Sequence, residues 1–304
     1  MRTFLKTGMA EIRRRKKLIW LWYLLNLLCA MVIVAPLAVG IAASLGHSLE
    51  NPRLFQNFDI SWVVEFGAGA HWEQFTTWLP VAAMIGVVFV LLTNWLSGGL
   101  LGVLHNPSDT FIAGCARWQG PFVRLLLLAA VGYGLAFGVR ALFAAFIRKL
   151  SEDSMSGQPA AYGSMATFLV TCLGFGFVNM IVDYAKIYMV YRDERRARFG
   201  LAGGARFVFS NFQACAATYL ALTGYMILML GVYDIWSEVI GQASIGAVLL
   251  LFVARQIYMF GRTWLRMVFL ASEYTLYASR MPKPEPEPPI PPPVIESLEL
   301  NESF

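Results

Sequence analysis

The sequence predicts an all-α fold, a polytopic membrane helical bundle of six transmembrane helices with interfacial amphipathic helices. Composition points to this fold, because 58% of the 304 residues are apolar and only 14% are charged. Soluble domains contain about 45–50% apolar and about 25% charged residues. The apolar residues also lie in long runs rather than in short alternating segments. An ordinary soluble enzyme is therefore excluded, and four cysteines in a chain of this length do not make a disulfide scaffold.

The first element, residues 1–17, is predicted to be a basic amphipathic helix at the cytoplasmic face. Phe4, Leu5, Met9 and Ile12 fall on one helical face, and arginines and lysines occupy the remainder. Such a helix can lie in the membrane interface with its apolar side in lipid and its cations near anionic headgroups. We therefore expect the lipid bilayer, and anionic lipid headgroups at the cytoplasmic face, to be partners of this segment.

Residues 18–280 form the predicted transmembrane domain. A helix needs about 20 apolar residues to cross the hydrocarbon layer, at a rise of about 1.5 Å per residue. Six stretches satisfy this requirement: Leu18–Leu45, Trp78–Leu104, Pro121–Phe146, Ser164–Tyr191, Phe207–Tyr233 and Ser244–Leu270. The first is longer than the apolar region of a cleavable signal, which is about 7–15 residues. We therefore interpret it as a retained span.

The cations that flank these stretches predict the orientation of the chain. Basic residues are abundant before the first stretch and after the fourth. Arg117 lies between the second and the third, and Arg124 lies just inside the third. The alternate connections contain few, namely Arg53 in the first and Arg148 and Lys149 in the next. The positive-inside rule then places both termini in the cytoplasm. The sequence predicts a multi-pass protein of the bacterial cytoplasmic (inner) membrane.

Three short segments that precede outgoing stretches share the pattern small-Gly-x-Ala-charged. They are Thr7–Glu11, Ala113–Arg117 and Ala202–Arg206. Each leads into a hairpin of two stretches, so one interpretation is a chain built from three repeated units of an interfacial helix and a hairpin. The alternative is chance, because glycine and alanine are common in membrane helices.

Charged residues inside the apolar stretches are candidate site residues. Asp183 and Lys186 lie three positions apart in the fourth stretch, on one helical face. Arg255 and Arg262 lie in the sixth stretch, with Arg266 beyond them. We hypothesise a buried polar lock in which Asp183 pairs with Lys186 and with an arginine of the sixth stretch. The alternative is an ion or proton relay through Asp183, but a relay needs ionisable groups across the whole membrane, and the outer halves offer no such chain.

Two pairs of glycines have the spacing that lets membrane helices approach closely. Gly98 and Gly102 lie in the second stretch, and Gly134 and Gly138 lie in the third. The G-x-x-x-G spacing is typical of helix packing within a bundle or between two copies of a chain. The sequence does not choose between these two, and the oligomeric state stays open.

The sequence predicts no catalytic, cofactor-binding or metal-binding residues, and we expect a protein that is not an enzyme. The three histidines, His47, His71 and His105, belong to no recognised zinc or nucleophile motif, and no phosphate-binding loop is present. A metal site formed by His71 with Glu65 and Glu73 lacks a recognised ligand spacing. No soluble basic module is present that could bind nucleic acid.

The last predicted element is the segment 281–304, which is rich in proline and acidic. Such a segment adopts extended polyproline II conformations and stays disordered. It could bind a protein partner through P-x-x-P motifs. The simpler interpretation is a flexible cytoplasmic tail that improves solubility.

Several motifs resemble those of an uncharacterised family of six-span bacterial integral membrane proteins. They are Asp183–Lys186, the basic loop Arg192–Arg198, Gly203–Arg206, Phe58–Trp62 and Arg266–Ala271. The chain is also loosely similar to the membrane domains associated with glycerophosphodiester phosphodiesterases. The resemblance implies a six-span fold and carries no catalytic residues, since phosphodiesterase chemistry belongs to a separate domain. It implies no specific role.

Two functions are compatible with these features. The first is a non-enzymatic membrane protein that supports membrane or envelope assembly or a partner complex. The second is a transporter or lipid-handling protein with a path between the hairpins. A polar cavity across the midplane would favour the second, whereas a bundle centre filled with leucine, phenylalanine and methionine would favour the first.

Overall fold

The computed structural model describes residues 2–45, 72–151, 158–240 and 245–281, and these segments are helical almost throughout. The helices of the described segments are α1 (Arg2–Arg14), α2 (Lys16–Leu45), α3 (Trp72–His105), α4 (Phe111–Ser151), α5 (Gln158–Arg192), α6 (Ala197–Ser210), α7 (Phe212–Ile240) and α8 (Ile245–Arg280).

Five helices of the described segments are long and apolar enough to cross a membrane. They contain the stretches Ala83–His105, Phe111–Leu150, Tyr162–Arg192, Phe212–Ile240 and Gly246–Arg280. Large apolar side chains cover their outward faces, and examples are Leu142 in α4, 74% exposed, and Val239 in α7, 81% exposed. A continuous apolar surface of this kind belongs in lipid rather than in water. The remaining predicted span, Leu18–Leu45, corresponds to α2, a helix of 30 residues, and its crossing of the membrane stays a prediction.

Several helix boundaries differ from those that hydropathy predicted, and two of them affect the packing of the bundle. The fifth stretch was expected to begin at Phe207, but Phe207 belongs to α6 and the chain turns at Asn211. The backbone N–H and the side-chain amide of Asn211 both donate to the carbonyl oxygen of Phe207, at 3.0 and 3.2 Å. These bonds satisfy a carbonyl that the helix end leaves unpaired. Helix α8, which contains the sixth predicted stretch, continues past Leu270 to Arg280.

The long helices form three hairpins. The second helix of each hairpin runs back toward the same end of the bundle. The hairpins are α2 with α3, α4 with α5, and α7 with α8. We call α3, α5 and α8 the return helices, and each of them contacts the other two. Leu100, Leu101, Ile187, Met267 and Val268 on these helices are fully buried. The core therefore lies where the return helices meet.

The end of the bundle at which the return helices finish carries α1, the start of α4, and α6. We call these three the entry segments, because each leads into a hairpin, and we call this end the basic end. α1 packs on α8, the start of α4 packs on α3, and α6 packs on α5. A glycine of each entry segment approaches a residue of the return helix, and the pairs are Gly8–Ser272, Gly114–Gly99 and Gly204–Ala185.

The entry segments differ from the predicted interfacial helices in two respects. The segment that contains Gly114 is the first part of α4, which runs without interruption through Pro121, so it is not a separate helix. The apolar face of α1 was expected in lipid, but Ile12 is fully buried, and Phe4 and Met9 pack against the same core. Contact with α8 gives this face a protein surface to bury against, which removes it from lipid.

The predicted packing glycines fall into two groups. A Cβ atom on Gly98 would lie 3.1 Å from the Cβ of Trp118, and one on Gly102 would lie 3.1 Å from the Cα of Gly114. Gly98 and Gly102 therefore let α3 and α4 pack closely. A Cβ atom on Gly134 or Gly138 would meet no atom of the described residues within 4 Å, so these two glycines face open space in the described part of the chain.

Some sequence predictions lie outside the described residues. The proline-rich tail beyond Met281 is one of them, and so is the outer connection 46–71, which contains the Phe58–Trp62 motif, His47 and His71.

Candidate functional site

The charged residues buried between the helices form the candidate site. We define the polar cluster as Asn179, Asp183 and Lys186 of α5 with Glu273 of α8. At about 1.5 Å per residue, Asp183 lies about 14 Å and Lys186 about 9 Å before the end of α5 at Arg192. The cluster is therefore inside the apolar segment, on the side of the basic end.

Asp183 and Lys186 pair along one face of α5. The Lys186 Nζ lies 3.9 Å from the Asp183 Oδ1, and the two side chains are only 15% and 17% exposed. The other carboxylate oxygen, Oδ2, accepts a hydrogen bond of 3.2 Å from the Asn179 amide. The Lys186 ammonium also lies 6.0 Å from the centre of the Phe122 ring on α4, within the range of a cation–π contact. The Asp183 carboxylate is therefore largely shielded from solvent, and a cation and a hydrogen-bond donor lie next to it.

Asn179 connects the cluster to two further helices. Its amide nitrogen donates to the Tyr219 hydroxyl of α7 at 3.0 Å, and its amide oxygen accepts from the Tyr133 hydroxyl of α4 at 3.3 Å. Both contacts extend the network of Asp183 across three helices. Hydrogen bonds between membrane helices are typically worth about 0.6–2 kcal/mol each, so this network contributes to the packing of α4, α5 and α7.

Glu273 enters the cluster from α8 and is 1% exposed. Within the described residues, neither of its carboxylate oxygens has a hydrogen-bond partner. The charges that act on it are those of Lys186 and Asp183. A buried carboxylate without hydrogen bonds is costly unless a cation compensates it. Lys186 attracts the Glu273 carboxylate, but no cation of the described residues forms an ion pair with it within 4 Å.

The arginines of α8 occupy different depths. Arg266 is the one whose charge acts on both Asp183 and Lys186. Arg255 and Arg262 are exposed, and neither forms an ion pair or a hydrogen bond with Asp183 in the described residues. Arg262 lies about 27 Å before the end of α8, roughly twice the depth of Asp183 measured from the end of α5. In the part of the chain that the structure describes, Asp183 therefore does not pair with Arg262 or Arg255 as predicted, because those side chains lie too far from the basic end.

Aromatic side chains close the cluster off at the basic end. His105, Tyr191, Tyr274 and Tyr277 come from the last turns of the return helices, and the ring centres of Tyr191 and Tyr277 are 5.2 Å apart. The His105 Nδ1 lies 3.1 Å from the Tyr274 hydroxyl, and the Tyr191 hydroxyl donates to the carbonyl oxygen of Met281 at 3.2 Å. This aromatic layer separates the polar cluster from the surface of the basic end.

The surface of the basic end is rich in cations. Exposed arginines surround the turn between α5 and α6: Arg192, Arg195, Arg196 and Arg198. Arg117 of α4 forms an ion pair of 2.7 Å with Asp193 in this turn. Both partners are well exposed, so the pair is worth at most about 1 kcal/mol. The remaining cations are available to an anionic surface.

The polar cluster extends over a limited part of the membrane thickness. From Asn179 to Lys186 it covers about 10 Å along α5, whereas the hydrocarbon layer is about 30 Å thick. Beyond Asn179, away from the basic end, α5 presents Phe175 and Leu173. The arrangement can hold charge and fix helix positions, but the described residues form no continuous polar path across the bundle. In the described residues no group of three His, Cys, Asp or Glu side chains could hold a metal ion.

Sequence reasoning missed Glu273, Tyr133 and Tyr219. Glu273 was missed because the hydropathy of the sixth stretch falls after Leu270, and the glutamate was assigned to the region outside the membrane. Its spacing of seven residues from Arg266 places both near one helical face, and this spacing is the signal that could have found it. The two tyrosines carry no distinctive signal, since tyrosine is common near membrane interfaces.

Fold and site together define a multi-pass helical membrane protein with a buried charged cluster. No protein-family model, no curated protein and no solved structure matches the chain.

Proposed function

We propose that this protein is a non-enzymatic membrane scaffold that supports membrane or envelope assembly or a partner complex. The observation that carries the proposal is the centre of the bundle. Where the return helices meet, Leu100, Ile187, Met189 and Met267 are fully buried, and the charged residues of the polar cluster lie on the side of the basic end. A centre of this kind holds helices in fixed positions and provides no route for a solute.

The proposal includes an orientation, with the basic end in the cytoplasm of a bacterial cell and the chain in the inner membrane. The exposed arginines around the turn between α5 and α6 support it, as does the positive-inside rule. In this orientation the entry segments lie at the cytoplasmic face, where their cations meet anionic headgroups. The segment 281–304 then extends into the cytoplasm and is the proposed site for a protein partner.

The proposal also includes three repeated units, each an entry segment followed by a hairpin. Three similar contacts support this, because each small-Gly-x-Ala-charged motif packs on a return helix. The order of the contacts is cyclic, since α1 of the first unit packs on α8 of the third. We also propose that the chain belongs with the six-span family whose motifs it resembles.

The rival function is a transporter or a lipid-handling protein. A transporter that used the polar cluster would move protons or ions through Asp183, and replacement of this residue would abolish the movement. The short extent of the cluster and the aromatic layer below it favour the scaffold instead.

The proposal is tested with purified full-length protein in two parallel experiments. In proteoliposomes that contain a pH-sensitive dye, the scaffold model predicts that wild type and Asp183→Asn give the same proton and ion leak as empty liposomes. Flux above this level that is lost in Asp183→Asn would contradict the model. The scaffold model also predicts that crosslinking in membranes, followed by purification, yields one stoichiometric protein complex for the full chain. Failure of both the full chain and the chain truncated after Met281 to retain any specific partner would contradict the scaffold role.

A further inference from the structure

A groove of about 700 Å³ lies between α4 and α5 near the end of the bundle opposite the basic end. Its α4 wall includes Phe137, Arg140 and Arg148, and its α5 wall includes Thr167 and Phe168. The two helices touch beside it, because a Cβ atom on Gly163 would collide with the Ile147 side chain. The groove is open toward the lipid-facing side, since Phe137 and Phe168 are both more than half exposed.

The depth of the groove can be worked out along α4. Arg124 is the first exposed arginine within the predicted apolar stretch Pro121–Phe146 of α4. At about 1.5 Å per residue, Arg140 lies about 24 Å and Arg148 about 36 Å beyond it. The hydrocarbon layer is about 30 Å thick, so with Arg124 at one boundary the two arginines lie on either side of the other boundary. This is the depth of the phosphate groups of the far leaflet.

The arginine side chains that line the groove are suited to an anionic ligand. Arg140 and Arg148 are exposed, and neither forms an ion pair with another residue of the described segments. Cations on this side of the membrane run against the positive-inside trend. Arginine binds phosphate with parallel hydrogen bonds, and its aliphatic stem can lie along apolar surface while the guanidinium reaches the interface.

We infer that the groove between α4 and α5 binds one anionic phospholipid of the leaflet opposite the basic end. The phosphate lies between Arg140 and Arg148. Thr167 lines the same space, and its hydroxyl donates to the carbonyl oxygen of Gly163 at 2.8 Å. The acyl chains run toward the midplane along Phe137 and Phe168. This ligand lies on the other side of the membrane from the headgroups that the basic end attracts, and its binding depends on neither the scaffold proposal nor a protein partner.

The test uses the full-length protein in nanodiscs of phosphatidylcholine alone or with phosphatidylglycerol at one part in four. Phosphatidylglycerol is expected to raise the apparent Tm of the wild type by several degrees, and native mass spectrometry is expected to show one retained phosphatidylglycerol. Both effects should disappear in Arg140→Gln/Arg148→Gln. They should persist in Lys149→Gln, because Lys149 is exposed at the same depth but does not line the groove.

An equal response of the double variant and the wild type to phosphatidylglycerol would overturn the inference. Inorganic phosphate added to protein in phosphatidylcholine nanodiscs should give no shift, and a full shift with phosphate alone would replace the lipid with a free anion. A photoactivatable phosphatidylglycerol provides a measurement on the wild type that does not depend on the folding of a variant. Crosslinks should map to the segments 137–148 and 163–171, and crosslinks elsewhere without any in these segments would refute the site.

Discussion

The close contact between α6 and α5 predicts a large difference between two chemically identical substitutions. In Gly204→Ala, the added Cβ atom would lie 2.5 Å from the backbone nitrogen of Ala185 and 2.6 Å from its Cα. Carbon atoms in contact prefer separations of about 3.5–4.0 Å, so α6 must retreat from α5 by about 1 Å. Phe207 and Val208, which are buried on the same helix, would lose part of their contacts.

The expected magnitude follows from two opposing terms. Forcing extra atoms into a packed interface costs about 1–3 kcal/mol. Replacing glycine with alanine within a helix returns about 0.5–1 kcal/mol. The net destabilisation of Gly204→Ala therefore centres on about 1 kcal/mol within a range of about 0–2.5 kcal/mol, and 1 kcal/mol corresponds to an apparent Tm lower by roughly 2–4 °C.

The assay is thermal unfolding in one detergent, followed by the loss of monodisperse protein on size exclusion. The matched control is Gly134→Ala, because a Cβ atom at Gly134 meets no described atom within 4 Å. The control should be as stable as the wild type or more stable. If Gly204→Ala and Gly134→Ala have the same apparent Tm, the close packing of the entry segment on its return helix is wrong.

Three further substitutions test the polar cluster and the basic end. Asp183→Asn removes the partner of a poorly exposed lysine and should destabilise the protein by roughly 2–3 kcal/mol; unchanged expression and an unchanged apparent Tm in detergent would exclude the polar lock. Glu273→Gln should change the free energy of unfolding by no more than about 1 kcal/mol, because it removes an attraction to a cation but no hydrogen bond made within the described residues. A loss of stability as large as that of Asp183→Asn would identify Glu273 as the main counter-ion. Arg15→Gln removes a donor that lies 3.3 Å from the carbonyl oxygen of Val103 in the last turn of α3, together with a partly exposed ion pair of 3.0 Å to Glu11, and should cost about 1 kcal/mol. Arg14→Gln changes an exposed neighbour and should cost nothing measurable, so equal effects of the two would argue against this contact.

Hydropathy predicted the long apolar helices because the length of an apolar run is a local property. It placed the end of the sixth stretch at Leu270, whereas α8 continues to Arg280. Glu273 lies beyond the apolar run in sequence, yet it is buried against α5 in space. Burial of this residue depends on contacts between return helices, which local composition does not contain.

The glycine pairs show the same limit. Gly98 and Gly102 have the same spacing as Gly134 and Gly138, but only the first pair lies against another helix in the described residues. Spacing decides which residues share a helical face, and it does not decide what lies opposite that face. The pairing of Asp183 with Lys186 was accessible from sequence because both partners lie on one helix. The position of Arg266 relative to Asp183 was not accessible, because it depends on the relative depth of α5 and α8.

We propose that lipid surrounds most of this chain and that its basic end lies in the cytoplasm. Single cysteines at two exposed positions test it in a variant whose four native cysteines are replaced: Arg196→Cys at the basic end and Lys149→Cys at the opposite end of α4. In this orientation a membrane-impermeant maleimide labels the cysteine at 149 in intact cells, and the cysteine at 196 only after the membrane is permeabilised. Equal labelling of both positions in intact cells would contradict this orientation.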